Sequence, residues 1–219
     1  MNVLITGANR GIGLAFTRHY LGQGHHVFAV CRHVSDELRD SGADIIDGID
    51  VSQARDVATL KQQLGDKRLD LLINNAGILA SETLDNMDFD SIAEQLNVNA
   101  IAPLRVTHAL LDNMGKSSKI ALITSRMGSI ADNGSGGYYG YRMSKAALNA
   151  AGKSLANDLK GRGIAVAILH PGMVSTRMIG FAGDVTPEQA VDGLTARIEN
   201  LSLDNTGTFW HANGEELPW

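Results

Sequence analysis

Short apolar runs alternate with longer amphipathic runs along the chain, a rhythm that is typical of repeated βαβ units. The apolar runs are rich in Val, Ile and Leu and do not alternate strictly with polar residues. We therefore expect parallel strands that are buried on both faces of a sheet. The predicted strands are Val3–Thr6, His26–Val30, Asp44–Ile49, Leu69–Ile73, Lys119–Thr124, Ile164–Leu169 and Thr208–His211.

The amphipathic runs predict the helices that connect these strands. Thr186 and Pro187 mark the start of the last helix, because Thr is a good N-cap and Pro suits the first helical position. Two segments are predicted to be loops, the glycine-rich Asp132–Gly137 and the mixed segment Met173–Val185. The predicted helices are Gly11–Leu21, Gln53–Leu64, Phe89–Met114, Tyr141–Lys160 and Pro187–Asn200.

Together these elements predict an α/β fold, with a doubly wound, Rossmann-type parallel sheet of about seven strands and helices on both faces. A chain of 219 residues is long enough to build one sizeable core. No internal repeat, low-complexity tract or linker divides it. We therefore expect residues 1–219 to form a single domain.

Composition narrows the classes of function. The net charge of −5 at pH 7 argues against a nucleic-acid-binding protein, which usually has a basic face. The single cysteine, Cys31, cannot form an internal disulfide, and no H-E-x-x-H or C-x-x-C motif predicts a metal site. No apolar run is long enough to span a membrane, and the first residues, MNVLITG, enter a strand pattern at once. We therefore expect a cytoplasmic protein without a membrane partner.

A glycine-rich turn follows the first predicted strand. Its glycines are spaced as G-x-x-x-G-x-G, which differs from the usual dinucleotide signature G-x-G-x-x-G. Gly7 permits a tight turn, and Gly11 and Gly13 permit the backbone to approach a pyrophosphate at the start of the next helix. Glycines also form turns that bind nothing, but this position between strand and helix favours phosphate binding. The predicted dinucleotide contacts are Gly7, Asn9, Arg10, Gly11, Ile12 and Gly13.

The end of the second strand indicates which nicotinamide cofactor is preferred. NAD sites tend to place an acid there for the ribose 2′-hydroxyl, whereas a 2′-phosphate requires a cation. Here the strand ends in Val30-Cys31-Arg32, and Arg10 is a second cation nearby. We therefore predict NADP(H), with NAD(H) as the alternative if both arginines are only solvated surface charges. Asp36 and Glu37 are interpreted as the cap of a short helix.

Three tyrosines and a lysine occur within YYGYRMSK, residues 138–145. Only Tyr141 precedes Lys145 by four residues, so only this pair shares one face of the predicted helix. A phenol has a pKa of about 10, and a neighbouring ammonium helps it to release its proton. An isolated Y-x-x-x-K pattern is more often a packed tyrosine beside a solvated lysine. The rest of the chain must therefore decide whether this pair is functional.

Several motifs occur in a fixed order on the predicted elements, from the glycine turn to the loop after the sixth strand. Together they resemble the short-chain dehydrogenase/reductase superfamily, classical type, over nearly the whole chain. The segment N-G-x-G-G-x-x-x-Y-R-x-S-K-A-A-L-N and the ending G-T-F-W-H-A-N-G-E-E-L-P-W look most like the C-factor and sniffer-like carbonyl reductase branch. The motifs are T-G-x-x-x-G-I-G at 6–13, N-N-A-G at 74–77, N-V-N at 97–99, I-T-S at 123–125, Y-x-x-S-K at 141–145 and H-P-G-M-V-S-T at 170–176.

The resemblance implies catalytic roles for four side chains. In such enzymes the tyrosine of Y-x-x-x-K donates a proton to the substrate carbonyl, which makes it Tyr141 here. Lys145 would bind the nicotinamide ribose and favour the phenolate by its positive charge. Ser125 would hydrogen-bond the carbonyl oxygen. Asn99 would hold a water that links Lys145 to solvent, while Asn97 is interpreted as a structural amide.

The resemblance also implies further contacts with the cofactor. Residues after the third strand would meet the adenine, and residues after the fourth would pass along the ribose and nicotinamide. Residues after the sixth would press on the nicotinamide and bond its carboxamide. The positions implied in this way are Asp50, Val51, Asn75, Ala76, Gly77, Pro171, Gly172, Val174 and Thr176, together with Tyr141 and Lys145.

Two features depart from the family pattern. The Asp132–Gly137 insertion lengthens the gap before Tyr141, which leaves open whether Ser125 or Ser129 faces the substrate. We favour Ser125, because it ends a predicted strand. Arg177 stands where many relatives carry an acid, and this change favours a polar or anionic substrate.

The sequence thus favours an NADPH-dependent carbonyl reductase or alcohol dehydrogenase that acts on a small ketone, aldehyde or alcohol. The alternative is a signalling or regulatory protein of the C-factor type, which would bind NAD(P) with little catalysis. An intact Asn-Ser-Tyr-Lys set argues against that alternative. Relatives often dimerise through two long helices, which correspond to Phe89–Met114 and Tyr141–Lys160 here, so a homodimer is one expected state.

Overall fold

The computed structural model describes residues 1–219 and contains one parallel sheet with the strand order β3-β2-β1-β4-β5-β6-β7. This sheet confirms the predicted fold class. The order reverses beside β1, so the crevice between β1 and β4 is where a doubly wound sheet binds its ligand. The strands are β1 Asn2–Thr6, β2 His26–Val30, β3 Asp44–Ile46, β4 Leu69–Asn74, β5 Met114–Ile123, β6 Ala165–His170 and β7 Phe209–His211.

Helices cover both faces of the sheet, and the side chains of β1 show why. Leu4 packs in a core shared with the central helices, whereas Val3 and Ile5 pack in a second core with the first and last helices. Successive strand residues point to opposite faces, so an uninterrupted apolar strand feeds two cores. The helices are α1 Gly11–Gly22, α2 Asp36–Arg39, α3 Ala54–Leu64, α4 Phe89–Leu96, α5 Ala102–Leu110, α6 Tyr139–Lys160 and α7 Pro187–Glu199.

The predicted helix over Phe89–Met114 corresponds to a continuous helical run from Phe89 to Asn113, in which the hydrogen-bond pattern changes along the way. A π-helical turn, Asn97–Ile101, separates α4 from α5, and a 3₁₀ turn ends the helical run at Asn113. The Asn113 side chain donates to the carbonyl oxygens of Gly65 and Lys67 at 2.7 and 2.8 Å, which fixes this end of the helix. Met114 therefore begins β5, earlier than the predicted start of that strand.

The bounds of three other elements also differ slightly from the predicted ones. Strand β3 ends at Ile46 rather than Ile49, and Gly48 in the following turn has a φ of 70°. Helix α6 begins at Tyr139, two residues before the predicted start. In α2 the N-cap is Ser35, whose hydroxyl accepts the Leu38 N–H, rather than an acid. None of the helices combines the length and apolar character needed to cross a membrane.

Candidate active site

The glycine turn lies at the carboxyl end of β1, in the crevice where the strand order reverses. Gly7 and Gly11 have φ angles of 66° and 53°, which other residues rarely adopt. A Cβ on Gly13 would stand 2.2 Å from the Gly7 carbonyl oxygen. No side chain caps the N-terminus of α1, so its first N–H groups are available to an anion. This arrangement fits a phosphate group.

Asn75 ties the glycine turn to the end of β4. Its backbone N–H and that of Ala76 donate to Thr6 Oγ1 at 3.0 and 3.1 Å. Its Nδ2 donates to the carbonyl oxygens of Thr6 and Gly7 at 3.0 and 3.2 Å. A Cβ on Gly7 would stand only 2.9 Å from Ala76 Cα. The Asn75 side chain is therefore occupied in holding two loops together at the crevice.

Two arginines and one aspartate lie at the outer end of this crevice. Arg10 is exposed at the N-cap of α1, and the Arg32 side chain is 60% exposed just after β2. Arg32 Nη1 lies 3.9 Å from Asp50 Oδ2, too far for a tight pair. Burial acts to raise the pKa of the Asp50 carboxyl, but hydrogen bonds from Ser52 and the charge of Arg32 hold it below its usual value. Arg32 is thus loosely held and can turn toward another anion.

Three other predicted cofactor residues have clear structural roles. Val51 is buried in the core, and its carbonyl oxygen accepts a hydrogen bond from Arg105 at 3.2 Å. Ile12 packs against the core on the α1 side. The Asn9 carbonyl oxygen accepts the Ser35 hydroxyl at 2.7 Å. These contacts fix the course of the chain around the crevice.

The loop after β6 closes the same edge of the sheet. A Cβ on Gly11 would stand 3.4 Å from Thr176 Cγ2, so this loop lies against the glycine turn. Val174 is buried and forms a bridge with Val185. Gly172, which follows Pro171, has a φ of 89°. The structure therefore brings all of the predicted segments to one crevice.

Ser125 follows β5 and begins a short 3₁₀ turn, Arg126–Gly128. Its Oγ accepts the Met127 N–H at 3.1 Å, so its own hydroxyl hydrogen remains available to another acceptor. A Cβ on Gly128 would stand 2.7 Å from the Lys145 carbonyl carbon, so this turn packs directly on α6. The Ser125 side chain interacts with the phenol of Tyr141. The two hydroxyls thus face the same small space.

Ser129, the alternative to Ser125, is engaged elsewhere. Its hydroxyl donates to the Trp219 carbonyl oxygen at 3.2 Å and accepts the Asp132 N–H at 3.1 Å. Both contacts anchor the turn before the Asp132–Gly137 insertion. The geometry therefore favours Ser125 as the hydroxyl that faces a substrate.

Tyr141 and Lys145 are both buried, with 9% and 4% of their surfaces exposed. Lys145 Nζ lies 5.7 Å from the centre of the Tyr141 ring and donates to the Ile123 carbonyl oxygen at 3.0 Å. Lys145 makes no ion pair, and burial lowers the pKa of its ammonium to about 8. A buried, unpaired ammonium is costly, which is typical of functional sites.

The pKa of the Tyr141 phenol is raised to about 12 by burial, although its interaction with Ser125 acts to lower it. Lys145 was expected to favour the phenolate, but burial has the larger effect on the pKa of the phenol. The phenol is therefore protonated near neutral pH. A protonated phenol can donate a proton but cannot accept one.

Asn99 lies in the π-helical turn and is fully buried. Its Oδ1 accepts the Ile78 N–H at 2.8 Å, and its Nδ2 donates to the Ile78 carbonyl oxygen at 2.8 Å and to Ser144 Oγ at 3.0 Å. A Cβ on Gly77 would stand 3.2 Å from Asn99 Oδ1 and 3.7 Å from Lys145 Nζ. Both amide hydrogens of Asn99 are therefore used within the protein, and its water-holding role stays a prediction. A π turn is often found at a functional site.

The loop that follows β6 also exposes apolar side chains around a cation. Met173, Met178 and Phe181 are 54%, 45% and 67% exposed. Arg177 is exposed among them and makes no ion pair. Mixed apolar and cationic side chains of this kind suit an amphipathic ligand.

Sequence reasoning missed one buried acid near the site. Glu82, in the segment between β4 and α4, is 2% exposed and accepts the Gly140 N–H at 3.0 Å, one residue before Tyr141. Gln95 on α4 donates to the same carboxylate at 2.6 Å. No local pattern marks Glu82, because its partners lie far from it in the sequence.

The comparisons with known proteins agree on one family. The model of the family described as short chain dehydrogenase matches residues 1–185. The chain is 37% identical to 1-hydroxy-2-glutathionyl-2-methyl-3-butene dehydrogenase of Rhodococcus sp. (strain AD45), over 99% of both chains. It is 42% identical to the C-signal protein of Myxococcus xanthus, over 69% of this chain and 93% of that protein.

Solved structures of similar fold include two carbonyl reductases. The NADPH-bound carbonyl reductase from chicken fatty liver superposes with a TM-score of 0.88 at 33% identity, over 100% of this chain and 98% of that one. The carbonyl reductase Sniffer of D. melanogaster also gives a TM-score of 0.88, at 30% identity, over 100% of this chain and 99% of that one.

Proposed function

The chain belongs to the short-chain dehydrogenase family of oxidoreductases, in the branch of the C-signal protein and the Sniffer carbonyl reductases, and we propose that it is an NADPH-dependent carbonyl reductase. In the reverse direction it would act as an alcohol dehydrogenase. One observation carries the proposal. The buried phenol of Tyr141 lies beside the buried ammonium of Lys145 and the hydroxyl of Ser125, at the same crevice as the glycine turn.

The chemistry follows from these three side chains. When bound, the reduced nicotinamide supplies a hydride to the carbonyl carbon of the substrate. Tyr141 donates its proton to the carbonyl oxygen, and Ser125 donates a hydrogen bond to the same oxygen, which stabilises the developing negative charge. Lys145 stabilises the phenolate that remains. Burial keeps the Tyr141 phenol protonated until the substrate oxygen demands the proton.

The residues of the crevice fit a dinucleotide. The uncapped N-terminus of α1 and the close approach at Gly13 would hold the pyrophosphate. The segment Asn75–Gly77 would follow the ribose toward Lys145, whose Nζ lies close to Gly77. Pro171 and Thr176, in the loop after β6, would bound the nicotinamide. In this proposal one domain over residues 1–219 carries the complete cofactor site.

We infer NADP(H) rather than NAD(H) from the charges at the end of β2. No carboxylate immediately follows this strand, whereas Arg10 and Arg32 are exposed on the adjoining loops. A guanidinium binds a phosphate well because its planar fork of N–H groups matches the oxygens. The NADPH-bound carbonyl reductase from chicken fatty liver, at a TM-score of 0.88, supports the same choice.

The side chains of the loop after β6 indicate the class of substrate. Its exposed Met178 and Phe181 suit an apolar group, and the unpaired Arg177 suits a carboxylate. The Rhodococcus relative is named for a glutathionyl-bearing substrate, and a glutathionyl group carries carboxylates. An alcohol that bears a glutathione conjugate therefore belongs beside simple carbonyl compounds among the substrates to test.

A second candidate function is signalling with little catalysis. The 42% identity to the C-signal protein of Myxococcus xanthus favours it, although the match covers 69% of this chain. The buried Tyr141–Lys145 pair argues against it, because burying an ammonium without need is costly.

One assay separates the two functions. For reduction, the protein is mixed with NADPH or NADH and with a panel of dicarbonyls, quinones and aromatic aldehydes. For oxidation, it is mixed with oxidised cofactor and a glutathione-conjugated alcohol. The nicotinamide absorbance is followed in both directions. We expect turnover with at least one carbonyl class and a clear preference for NADPH. Tight NADPH binding without turnover of any member would favour the signalling function instead. Absence of both binding and turnover would contradict the proposed function.

A further inference from the structure

The N-terminus of helix α6, which carries Tyr141, has no cap of its own. Tyr138 occupies the N-cap position with a φ of 51°, and its side chain makes no capping hydrogen bond. A helix start leaves backbone N–H groups without partners, and a buried start needs acceptors from elsewhere. Gly140 is buried, so its N–H cannot rely on water. The catalytic helix therefore depends on an acceptor supplied by another element.

Glu82 supplies that acceptor from the segment between β4 and α4. One oxygen of its carboxylate accepts the Gly140 N–H at 3.0 Å, and its backbone carbonyl oxygen accepts the Tyr138 N–H at 2.9 Å. A negative charge at the start of a helix is also favoured by the helix dipole. A residue 58 positions away in sequence thus caps α6 immediately before Tyr141.

The carboxylate is itself held from the other side. Its second oxygen accepts Gln95 Nε2 at 2.6 Å and the Ser91 hydroxyl at 2.9 Å, both from α4. Gln95 Oε1 in turn accepts the Ala80 N–H at 3.0 Å. Burial acts to raise the pKa of the Glu82 carboxyl, but hydrogen bonds from Gly140, Ser91 and Gln95 keep it below its usual value. Glu82 is therefore an ionised, fully engaged bridge.

A second set of hydrogen bonds holds α6 just after Tyr141. Asn99 lies one turn after Gln95 and bonds Ser144 Oγ, which donates to the Tyr141 carbonyl oxygen at 2.8 Å. Space is tight as well, since a Cβ on Gly140 would stand 2.4 Å from Gln95 Nε2. Helix α4 and the π turn that follows it thus contact α6 on both sides of Tyr141.

We propose that Glu82 is a positioning residue, which bridges α4 and the start of α6 and thereby sets the Tyr141 hydroxyl for proton transfer. This inference rests on the proposed function, because it assigns Glu82 a role in the same reaction. Glu82 contacts no reacting atom in the proposed reaction. Its effect is exerted through Gly140 and the first turn of α6.

The test is Glu82→Gln, assayed with NADPH and a carbonyl substrate of the wild-type protein. The amide has the size of the carboxylate but must present a donor either to the Gly140 N–H or to the Gln95 amide. We expect kcat to fall about 10- to 100-fold, as a misplacement near 1 Å can cause, while the KM for NADPH changes by less than about threefold. Glu94→Gln is the matched control, because Glu94 is an exposed glutamate on α4, and it should retain full activity.

The exchanged pair, Glu82→Gln with Gln95→Glu, supplies the rescue. The amide introduced at position 82 would then accept from Gly140 and donate to the carboxylate introduced at position 95. That carboxylate would still accept from Ala80, so every donor has an acceptor again. We expect kcat to return to within about threefold of wild type, because the same hydrogen bonds form again with the carboxylate and the amide exchanged between positions 82 and 95. A single variant with wild-type kcat, or a folded double variant with no recovery, would overturn the positioning role.

Hydrogen exchange provides a readout that does not depend on turnover. Glu82→Gln should increase exchange at the amides of Tyr139, Gly140 and Tyr141, and the exchanged pair should restore their protection. If wild-type protein shows no reductase activity, the proposed function fails, whereas this measurement still tests the bridge. Unchanged exchange in Glu82→Gln would contradict the bridge even if the enzyme is active.

Discussion

The two ends of the crevice are built in different ways. At the proposed phosphate end, the site consists of backbone: three glycines within seven consecutive residues, two of them at positive φ, and an uncapped helix start. At the proposed proton-transfer end, it consists of side chains from distant segments, and the fold alone buries Ser125, Tyr141 and Lys145 together. In a site made of backbone, an added atom disturbs the local structure itself. In a site made of side chains, a substitution can leave the fold intact but removes the chemical group. Substitutions at the two ends should therefore fail in different ways.

Tyr141→Phe tests the proton-transfer end with the largest expected effect. Removing the phenolic hydroxyl should lower kcat about 10²- to 10⁴-fold, the usual contribution of general acid catalysis. NADPH affinity, measured by fluorescence titration, should change little, because the ring remains. Tyr139→Phe on the same helix is the matched control and should remain within a few-fold of wild type. Near-normal turnover in Tyr141→Phe would remove the tyrosine from the mechanism.

Lys145→Met tests the same end through stability. Burial lowers the pKa of Lys145 from 10.5 to about 8, so well below pH 8 the folded and unfolded chains both hold this proton. Above pH 8 the folded chain releases the proton first, and stability rises with pH until the unfolded lysine also titrates. The unfolded tyrosine ionises from pH 10 upward, and the raised pKa of Tyr141 then opposes further gain.

Between pH 8 and pH 10 the lysine should thus add about 2 kcal/mol to the free energy of unfolding, since one pKa unit corresponds to about 1.4 kcal/mol. We expect this increment to be absent in Lys145→Met and present in Lys160→Met, an exposed position on α6. Urea unfolding at several pH values measures the difference between variants. An equal pH dependence in wild type and Lys145→Met would mean that the ammonium is not desolvated.

Gly13→Ala tests the phosphate end. The added Cβ would stand 2.2 Å from the Gly7 carbonyl oxygen, so the turn or the helix must move. We expect a loss of stability of about 1–3 kcal/mol, as for other overpacked positions, together with weaker NADPH binding. Gly22→Ala at the other end of α1 meets no atom within 4 Å and should be neutral or slightly stabilising. Thermal unfolding and NADPH titration of both variants decide this contrast.

Arg32→Ala has the smallest expected effect and sharpens the choice of cofactor. NADPH affinity should fall about tenfold, or about 1.4 kcal/mol, because one exposed cation is lost from the 2′-phosphate. NADH affinity should change by less than twofold. Arg18→Ala, exposed on α1, is the control for the loss of charge alone. Equal losses for both cofactors would show that Arg32 does not distinguish them.

Much of the fold could be predicted from the sequence, because each element carries its own local signal. The apolar runs of β1, β2, β4 and β6 predicted these strands, and their alternation with helices predicted the parallel pairing. The predicted helix over Phe89–Met114 matches a continuous helical run, but periodicity alone could not show where its hydrogen-bond pattern changes. The π turn at Asn97–Ile101 is fixed by the bonds of Asn99 to Ile78 and Ser144, which are distant in sequence.

The sequence alone predicted a phosphate site at the glycine turn and determined which phenol has a lysine on its own helical face, since both depend on spacing along one turn. Only the tertiary structure decided that Ser129 is engaged by Trp219, that Tyr141 and Lys145 are buried together, and that Glu82 caps α6. The physical reason is that burial and pairing arise where distant segments meet. A local pattern can carry backbone geometry, but the cost of removing a charge from water exists only in the folded chain.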